Sequence, residues 1–195
     1  MKITAIIMAS GYSRRMGENK LLLKCKDKTF IQHTLDKVKK CDFYSRIIVA
    51  RDKAIVELAE SLDFKTVKNK RADKGQSEAI KLGLNNSPIS DGYMFFTSDQ
   101  PLLDIETIEL LMDTFNKNNN SIIVPRFKGR KGSPVIFSSK FLKELTQLQG
   151  DTGGKKIINA HKESIIFVEV KKEEVLMDVD TWEDYYDLNR FGKNL

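Results

Sequence analysis

The opening stretch, residues 3–23, constrains the fold more than any other. Residues 3–8, Ile-Thr-Ala-Ile-Ile-Met, form a short, mostly apolar run of the kind a sheet buries on both faces. The run stops at Ala9-Ser10-Gly11. The loop that follows carries Ser13, Arg14, Arg15, Gly17 and Lys20. Small residues at the carboxyl end of a first strand let backbone N–H groups approach a ligand closely. Two arginines and a lysine close behind add donors and positive charge, a combination suited to a phosphate chain. The loop is not a P-loop, because Glu18 stands where a lysine should follow Gly17. Nor is it the dinucleotide fingerprint, whose second and third glycines are missing. A plain surface turn with solvated basic residues is the alternative. The place at a strand's carboxyl end, where open α/β sheets bind ligands, favours a binding loop.

Strand and helix patterns alternate along the rest of the chain. Helical patterns cover 30–41, 53–62, 74–84, 105–116, 139–148, 155–160 and 181–188, the first with Ile31, Leu35 and Val38 on one stripe. Strand patterns cover 46–50, 64–67, 93–97, 121–124, 134–137 and 165–170. This alternation predicts an α/β fold of three layers, with a mostly parallel twisted sheet between helices. A length of 195 residues suits one domain over 1–195. The net charge of +6 would suit nucleic acid or an anionic small molecule. The lysines are scattered and the aromatics are not interleaved with them, so the small molecule is preferred. Cys25 and Cys41 lack metal-site spacing, and a reduced cytoplasmic setting is expected. No apolar run approaches the roughly 20 residues of a membrane helix.

Three further stretches carry chemistry. Thr97-Ser98-Asp99-Gln100-Pro101-Leu102 follows the strand pattern 93–97. A carboxylate there sits at the ligand edge of the sheet, and Asp99 is a natural magnesium ligand, since magnesium uses one or two carboxylates plus phosphate oxygens. Alone, Asp99 reads equally as a turn residue before proline; the phosphate-type loop tips the balance to metal. In residues 69–83, Gly75, Gln76 and Ser77 open a helix whose N–H groups favour polar or anionic atoms. Asn69, Gln76 and Ser77 are able to bond a base or ribose, although Asp73 and Ser77 would also serve as helix caps. In Asp178-Val179-Asp180-Thr181-Trp182-Glu183-Asp184, Thr181 and Asp184 have capping-box spacing. Asp178 and Asp180 alternate on an extended segment, so one of them faces the site.

Taken in order, these motifs resemble the nucleotidyltransferases with a nucleotide-diphospho-sugar transferase fold, a Rossmann-like type. Gly11-x-Ser13-x-Arg15-Met16-Gly17-x-x-Lys20 looks most like the loop of the molybdenum-cofactor cytidylyltransferases. Asp99-Gln100-Pro101-Leu102 resembles the metal motif of that family, and Asn69…Gly75-x-Ser77…Gly83 its nucleotide segment. The run 132–137 and Gly150-Asp151-Thr152-Gly153 resemble its acceptor loops. Two departures stand out. Trp182 replaces a usual proline, and Ser10 stands where cytidylyl members usually have alanine and guanylyl relatives glycine.

The resemblance implies transfer of a nucleotidyl group from an NTP to an acceptor phosphate, with release of pyrophosphate. Magnesium would be held by Asp99 with Asp180 or Asp178, with Asp180 preferred. Arg15, Lys20 and Asp99 would be the catalytic set. The nucleotide would meet Ala9, Ser10, Gly11, Ser13, Arg14, Arg15, Lys20, Asn69, Gly75, Gln76 and Ser77. A side chain at position 10 takes room that a purine needs, so CTP is expected over GTP, with molybdopterin as acceptor and a molybdoenzyme or its chaperone as a partner. A guanylyltransferase, a sugar- or polyol-phosphate cytidylyltransferase and a non-catalytic maturation partner stand as alternatives.

Overall fold

The structure, a computed structural model, describes residues 1–191; the last four residues of the domain expected over 1–195 lie outside the described residues. The strands in chain order are β1 (Ile3–Ala9), β2 (Lys24–Cys25), β3 (Lys28–Thr29), β4 (Ser45–Ala50), β5 (Lys65–Lys68), β6 (Gly92–Thr97), β7 (Ile122–Phe127), β8 (Arg130–Lys131), β9 (Val135–Ser138) and β10 (Ile165–Glu169). The α-helices are α1 (Phe30–Lys40), α2 (Lys53–Ser61), α3 (Gln76–Asn85), α4 (Ile105–Lys117), α5 (Leu142–Thr146), α6 (Lys155–Ala160) and α7 (Trp182–Phe191). The main sheet has the order β10-β7-β9-β6-β1-β4-β5, with β8 paired to β7 and β2–β3 forming a separate hairpin.

The first strand is the middle of this arrangement. It pairs in parallel with β4 on one side and β6 on the other, and β4 pairs in parallel with β5. Its alternate side chains enter two different cores, as the period of a strand requires. Ile3, Ala5, Ile7 and Ala9 pack in the layer built from Ile31, Leu35 and Val38 of α1, Ile55 and Ala59 of α2, and Ile108, Leu111 and Phe115 of α4. Ile6 and the partly buried Met8 join the opposite layer, with Ala79, Ile80 and Leu84 of α3, Leu145 of α5, and Ile157 and Ile158 of α6. The three-layer architecture is therefore as expected. Among the described residues no helix is long and apolar enough to cross a membrane.

The strand pattern over 134–137 forms β9, which runs antiparallel to both β6 and β7 within the mostly parallel sheet. Several local expectations are corrected. Between the strand patterns 121–124 and 134–137, where no further strand is expected, the chain forms the short hairpin strand β8. The helix expected over 139–148 is a 3-10 turn, Ser139–Phe141, followed by the five-residue α5. The helix expected from Lys74 begins at Gln76, because Ala72–Lys74 form a 3-10 turn and Gly75 takes a φ of 87°.

Side chains cap the helices on the α1/α2/α4 layer. Thr29 accepts from Gln32 N, Asp52 from Ala54 N and Asp104 from Thr107 N, each satisfying a first-turn donor. The Asp52 carboxylate also accepts from Asn19 Nδ2 at 3.1 Å, which ties the end of the loop after β1 to the start of α2.

Helix α3 lies unusually close to β1. A Cβ added at Gly83 would fall 2.4 Å from Cγ2 of the fully buried Ile6. Replacing a mid-helix glycine by alanine normally gains about 1 kcal/mol. Overpacking a filled core costs about 1–3 kcal/mol, and an overlap of this size lies at the upper end. Gly83→Ala is thus expected to lower the midpoint of urea unfolding, and Gly83→Val to lower it further. A midpoint raised by Gly83→Ala would show that the helix and strand can part without cost.

Candidate active site

The loop after β1 is closed by its own hydrogen bonds. Met16 N donates to Ser13 O at 3.0 Å, and Lys20 N donates to Ser13 Oγ at 3.2 Å. Ser13 and Gly17 take positive φ values of 49° and 73°. The Met16 side chain is buried, which anchors the loop to the body of the protein. Asn19 Oδ1 accepts from Leu21 N and caps the 3-10 turn Lys20–Leu22. Lys20 therefore leaves a fixed backbone and points its ammonium across the sheet edge.

The ammonium meets two carboxylates from distant parts of the chain. Nζ lies 2.7 Å from Asp99 Oδ2 and 2.6 Å from Asp180 Oδ1. The Lys20 and Asp99 side chains are 13% and 18% exposed, so both charges are largely withdrawn from water. Burial is the largest single influence and would lower the Lys20 pKa. Asp99 and Asp180 together outweigh it and hold the ammonium above its usual range. Arg15 Nη1 reaches Asp180 Oδ2 at 3.2 Å on the exposed side.

Asp178 stands beside this cluster. Its carboxyl is pushed up to about 6, first by desolvation against the wall of the site and then by the charges of Asp99 and Asp180. Solvent still reaches the residue, which lines the smaller of the two cavities beside the cluster. Lys20 and a hydrogen bond from Gln100 pull the other way.

The loop bearing Asp99 is fastened from several directions. The Ser98 hydroxyl donates to Met8 O at 3.1 Å, joining the ends of β6 and β1. Val179 N donates to Asp99 O at 3.0 Å, and this bond brings the acidic segment to the loop. From α1, the Lys37 ammonium donates to Pro101 O. The start of α7 is the expected capping box. Asp184 N donates to Thr181 Oγ1, and Asp184 Oδ2 accepts from the N–H groups of Thr181 and Asp180. That box fixes the backbone of Asp180.

Asp99 Oδ1 is buried, with no hydrogen-bond partner among the described residues. A buried carboxylate oxygen without a donor is costly, and it is an atom a cation can take. Among the described residues no group of three His, Cys, Asp or Glu side chains forms a ready metal cage. Magnesium does not need one when phosphate oxygens complete its shell. The donor set Asp99 with Asp180 or Asp178 therefore fits that ion.

Two adjoining cavities meet at the cluster. The larger, about 680 Å³, is lined by Ser10, Gly11, Ser13, Arg14, Arg15, Lys20, Gly75, Gln76, Asp99 and Asp180 of the expected residues. The smaller, about 390 Å³, is lined on its polar side by Lys131, Ser133, Lys155, Asn159 and Asp178. Met8, Gln76 and Thr97 line both and form the partition. The loop over 150–154, expected on the acceptor side, touches both: Gly150 and Asp151 line the larger cavity and Gly154 the smaller.

Three expected residues sit behind the wall. Ala9, Asn69 and Ser77 are 2%, 3% and 1% exposed and do not line the larger cavity. Asn69 is a brace. Its Nδ2 donates to Ser10 Oγ at 2.9 Å, and its Oδ1 accepts from Arg71 N at 3.0 Å. Neither Asp73 nor Ser77 caps α3. Gln76 N donates to Asp151 Oδ1 at 3.2 Å and Ser77 N to Gly150 O at 3.4 Å, so the helix N-terminus is covered by a loop from far along the chain. Gly75 is required there, since a Cβ would fall 2.6 Å from Asp151 Cα. Arg51 and Tyr12 were not foreseen. The Arg51 guanidinium lies 4.5 Å from the centre of the Tyr12 ring, and its Nε donates to Gly11 O at 3.4 Å, so β4 supports the loop from outside. The position of Arg51 directly after a parallel strand was the available signal.

A basic loop after the first strand and carboxylates converging on it from two further segments define a nucleotidyltransferase of the nucleotide-diphospho-sugar transferase fold. The chain belongs to the MobA-like NTP transferase domain family, whose model matches residues 5–165. It is 24% identical over 195 residues to a protein of Pyrococcus horikoshii named a probable molybdenum cofactor guanylyltransferase, covering 97% of this chain and 96% of that protein. It is 25% identical over 190 residues to the molybdenum cofactor cytidylyltransferase of Escherichia coli, covering 94% and 93%. The crystal structure of Rv0371c from Mycobacterium tuberculosis superimposes with a TM-score of 0.84 at 27% identity, covering 97% of this chain and 98% of that one. Rv0371c has also been solved in complex with manganese, with a TM-score of 0.81.

Lys37 supplies a test of how the Asp99 loop is held. Burial lowers its ammonium to about 8, although Asp104, Cys25 and Asp36 favour the charged form. The ordinary value is 10.5. Between the two the unfolded chain binds more protons than the folded one, so this residue's contribution to stability rises with pH from about 8 to 10.5. In urea unfolding at about pH 7 and about pH 10, the stability of the wild type relative to Lys37→Met is expected to increase at the higher pH. A difference that does not change with pH would mean that Lys37 is charged and solvated throughout.

Proposed function

We propose that this chain is a magnesium-dependent molybdenum cofactor nucleotidyltransferase. It joins the nucleotidyl group of an NTP to the phosphate of molybdopterin and releases pyrophosphate. The observation that carries the reading is the convergence of Lys20 on Asp99 and Asp180 where two cavities adjoin. The nucleotide occupies the larger cavity, with its phosphates along Gly11, Ser13, Arg14 and Arg15. The acceptor occupies the smaller one, beside Lys131, Ser133, Lys155, Asn159 and Asp178.

In the reaction an acceptor phosphate oxygen attacks the α-phosphorus, and the bond to the pyrophosphate oxygen breaks. The acceptor is already anionic near neutral pH, so the chain has no need of a dedicated nucleophile. Its contribution is alignment and charge. Arg15 and Lys20 donate to the triphosphate and stabilise the charge that passes to pyrophosphate. The partition of Met8, Gln76 and Thr97 sets the distance between the two substrates. A magnesium ion on Asp99, with Asp180 or Asp178, would supply neutralisation of the phosphates; the manganese complex of Rv0371c supports a divalent cation in this fold. Asp99→Asn is expected to fold normally and to lose more than roughly 100-fold in turnover, since outer-sphere partners alone cost about 10–100-fold. Turnover at the wild-type rate would remove the metal role.

The base is read as cytosine. Ser10 lines the larger cavity, and Asn69 holds its hydroxyl in one orientation, which gives the wall a fixed side chain where glycine would leave room for a purine. The name of the Pyrococcus horikoshii relative favours guanine as the second reading. A molybdoenzyme or its chaperone, as the recipient of the product, belongs to the same proposal. Competition binding of CTP and GTP at equal magnesium, to wild type and Ser10→Gly, decides the base. Tighter CTP binding by wild type is expected, with the preference reduced in Ser10→Gly. A wild type that prefers GTP places the chain with the guanylyltransferases.

A further inference from the structure

The position of the Lys20 ammonium has a consequence for how ligands enter. It bridges one oxygen of Asp99 and one of Asp180, at distances typical of charge-assisted hydrogen bonds. A divalent cation that joined the same two carboxylates, through these oxygens or through the partnerless Asp99 Oδ1, would share them with the ammonium. Two like charges on one pair of carboxylates repel, so cation and ammonium compete for the bridge. We propose that Lys20 is a selectivity residue that makes the site accept a divalent cation and a triphosphate as a pair, because the cation displaces the ammonium and the displaced ammonium is then neutralised by phosphate.

The proposal rests on the reading of the larger cavity as a triphosphate site. Its parts are on the chain. The Lys20 backbone is fixed by the 3-10 turn and by Ser13 Oγ, whereas its four-carbon stem can turn. Gly11, Ser13, Arg14 and Arg15 line the same cavity as Lys20. Asp99 Oδ1, which has no partner, offers a first point of attachment for the arriving cation. Asp99 and Asp180 share the largely buried Lys20 ammonium, and their charges also act on Asp178. A cation arriving alone drives a largely buried ammonium off its partners and leaves it uncompensated, which is costly. A triphosphate arriving alone meets three carboxylates and a lysine already engaged. Together the two ligands give the carboxylates a cation and the displaced ammonium a phosphate. Such coupling is reciprocal, each ligand raising the affinity of the other by the same factor.

The test uses the folded protein and two readouts. Manganese binding without nucleotide, followed by the spin resonance of the free ion, is measured for wild type, Lys20→Met and Arg15→Met. Lys20→Met is expected to bind manganese more tightly than wild type by about tenfold or more, within the usual range of coupling factors. Arg15→Met removes the same charge from the exposed side of Asp180 without vacating the bridge, and is expected to change affinity by less than about threefold, in keeping with the small worth of exposed ion pairs. Equal tightening in both variants would reduce the effect to net charge and overturn the proposal, as would no tightening in Lys20→Met. In wild type, labelling of the Lys20 amine by an acylating reagent, read by mass spectrometry, needs no variant. Magnesium alone is expected to expose the amine, and magnesium with a non-hydrolysable CTP analogue to protect it again. Labelling that magnesium leaves unchanged rejects displacement. Exposure by magnesium that neither CTP nor GTP analogues reverse would reject the nucleotidyl reading and with it the pairing of cation and triphosphate, leaving only the displacement itself.

Discussion

Parallel pairing of β1 with β4 and β6 is the constraint on which the site depends. Parallel strands end at the same edge, so the chain must leave these three neighbouring strands side by side. The first provides the basic loop, the second Arg51 beneath it, and the third the Asp99 loop. The edge is firm because β1 is buried on both faces, with Ala5, Ile6 and Ile7 without exposed surface. Electrostatic attraction then acts between groups whose backbones are already placed. Lys20 and Asp99 lie 79 residues apart in sequence, and Lys20 and Asp180 lie 160 apart, yet neither bond has to organise the fold.

The charge cluster is held by ordinary devices used at unusual density. A hydroxyl joins two strand ends, a lysine reaches from α1 to a loop carbonyl, and a capping box sets the backbone of Asp180. Each is worth little alone. Together they keep Asp99 and Asp180 beside Asp178, whose carboxyl is raised first by desolvation and then by their charges.

Much of this was legible in the residues themselves. The apolar run before Gly11, the arginines and lysine after it, and the acid closing β6 are local patterns. Local patterns survive folding when the strand they end is buried. The helix stripe of Ile31, Leu35 and Val38 is fully buried, as its spacing requires. The rest depended on partners remote in sequence. Asn69 carries the same amide whether it faces a ligand or braces Ser10, 59 residues away. The N-terminus of α3 has no local cap, and nothing near it announces Asp151, 75 residues further on. Likewise, the alternation of β9 fits either strand direction, and its antiparallel pairing follows from the short return after β7 rather than from its own side chains.

The partition of Met8, Gln76 and Thr97 divides more than two cavities. Nearly everything on the larger side comes from the first hundred residues, and most of the polar lining on the smaller side from residues 131–178. A chain built this way is modular in its chemistry. On the proposed function, changes between β7 and α7 would retune which molecule is modified while the half assigned to the nucleotide, with its buried strand and fixed loop, stays as it is. One scaffold can thus diversify its acceptors through one half of its sequence, with the partition acting as the hinge of that divergence.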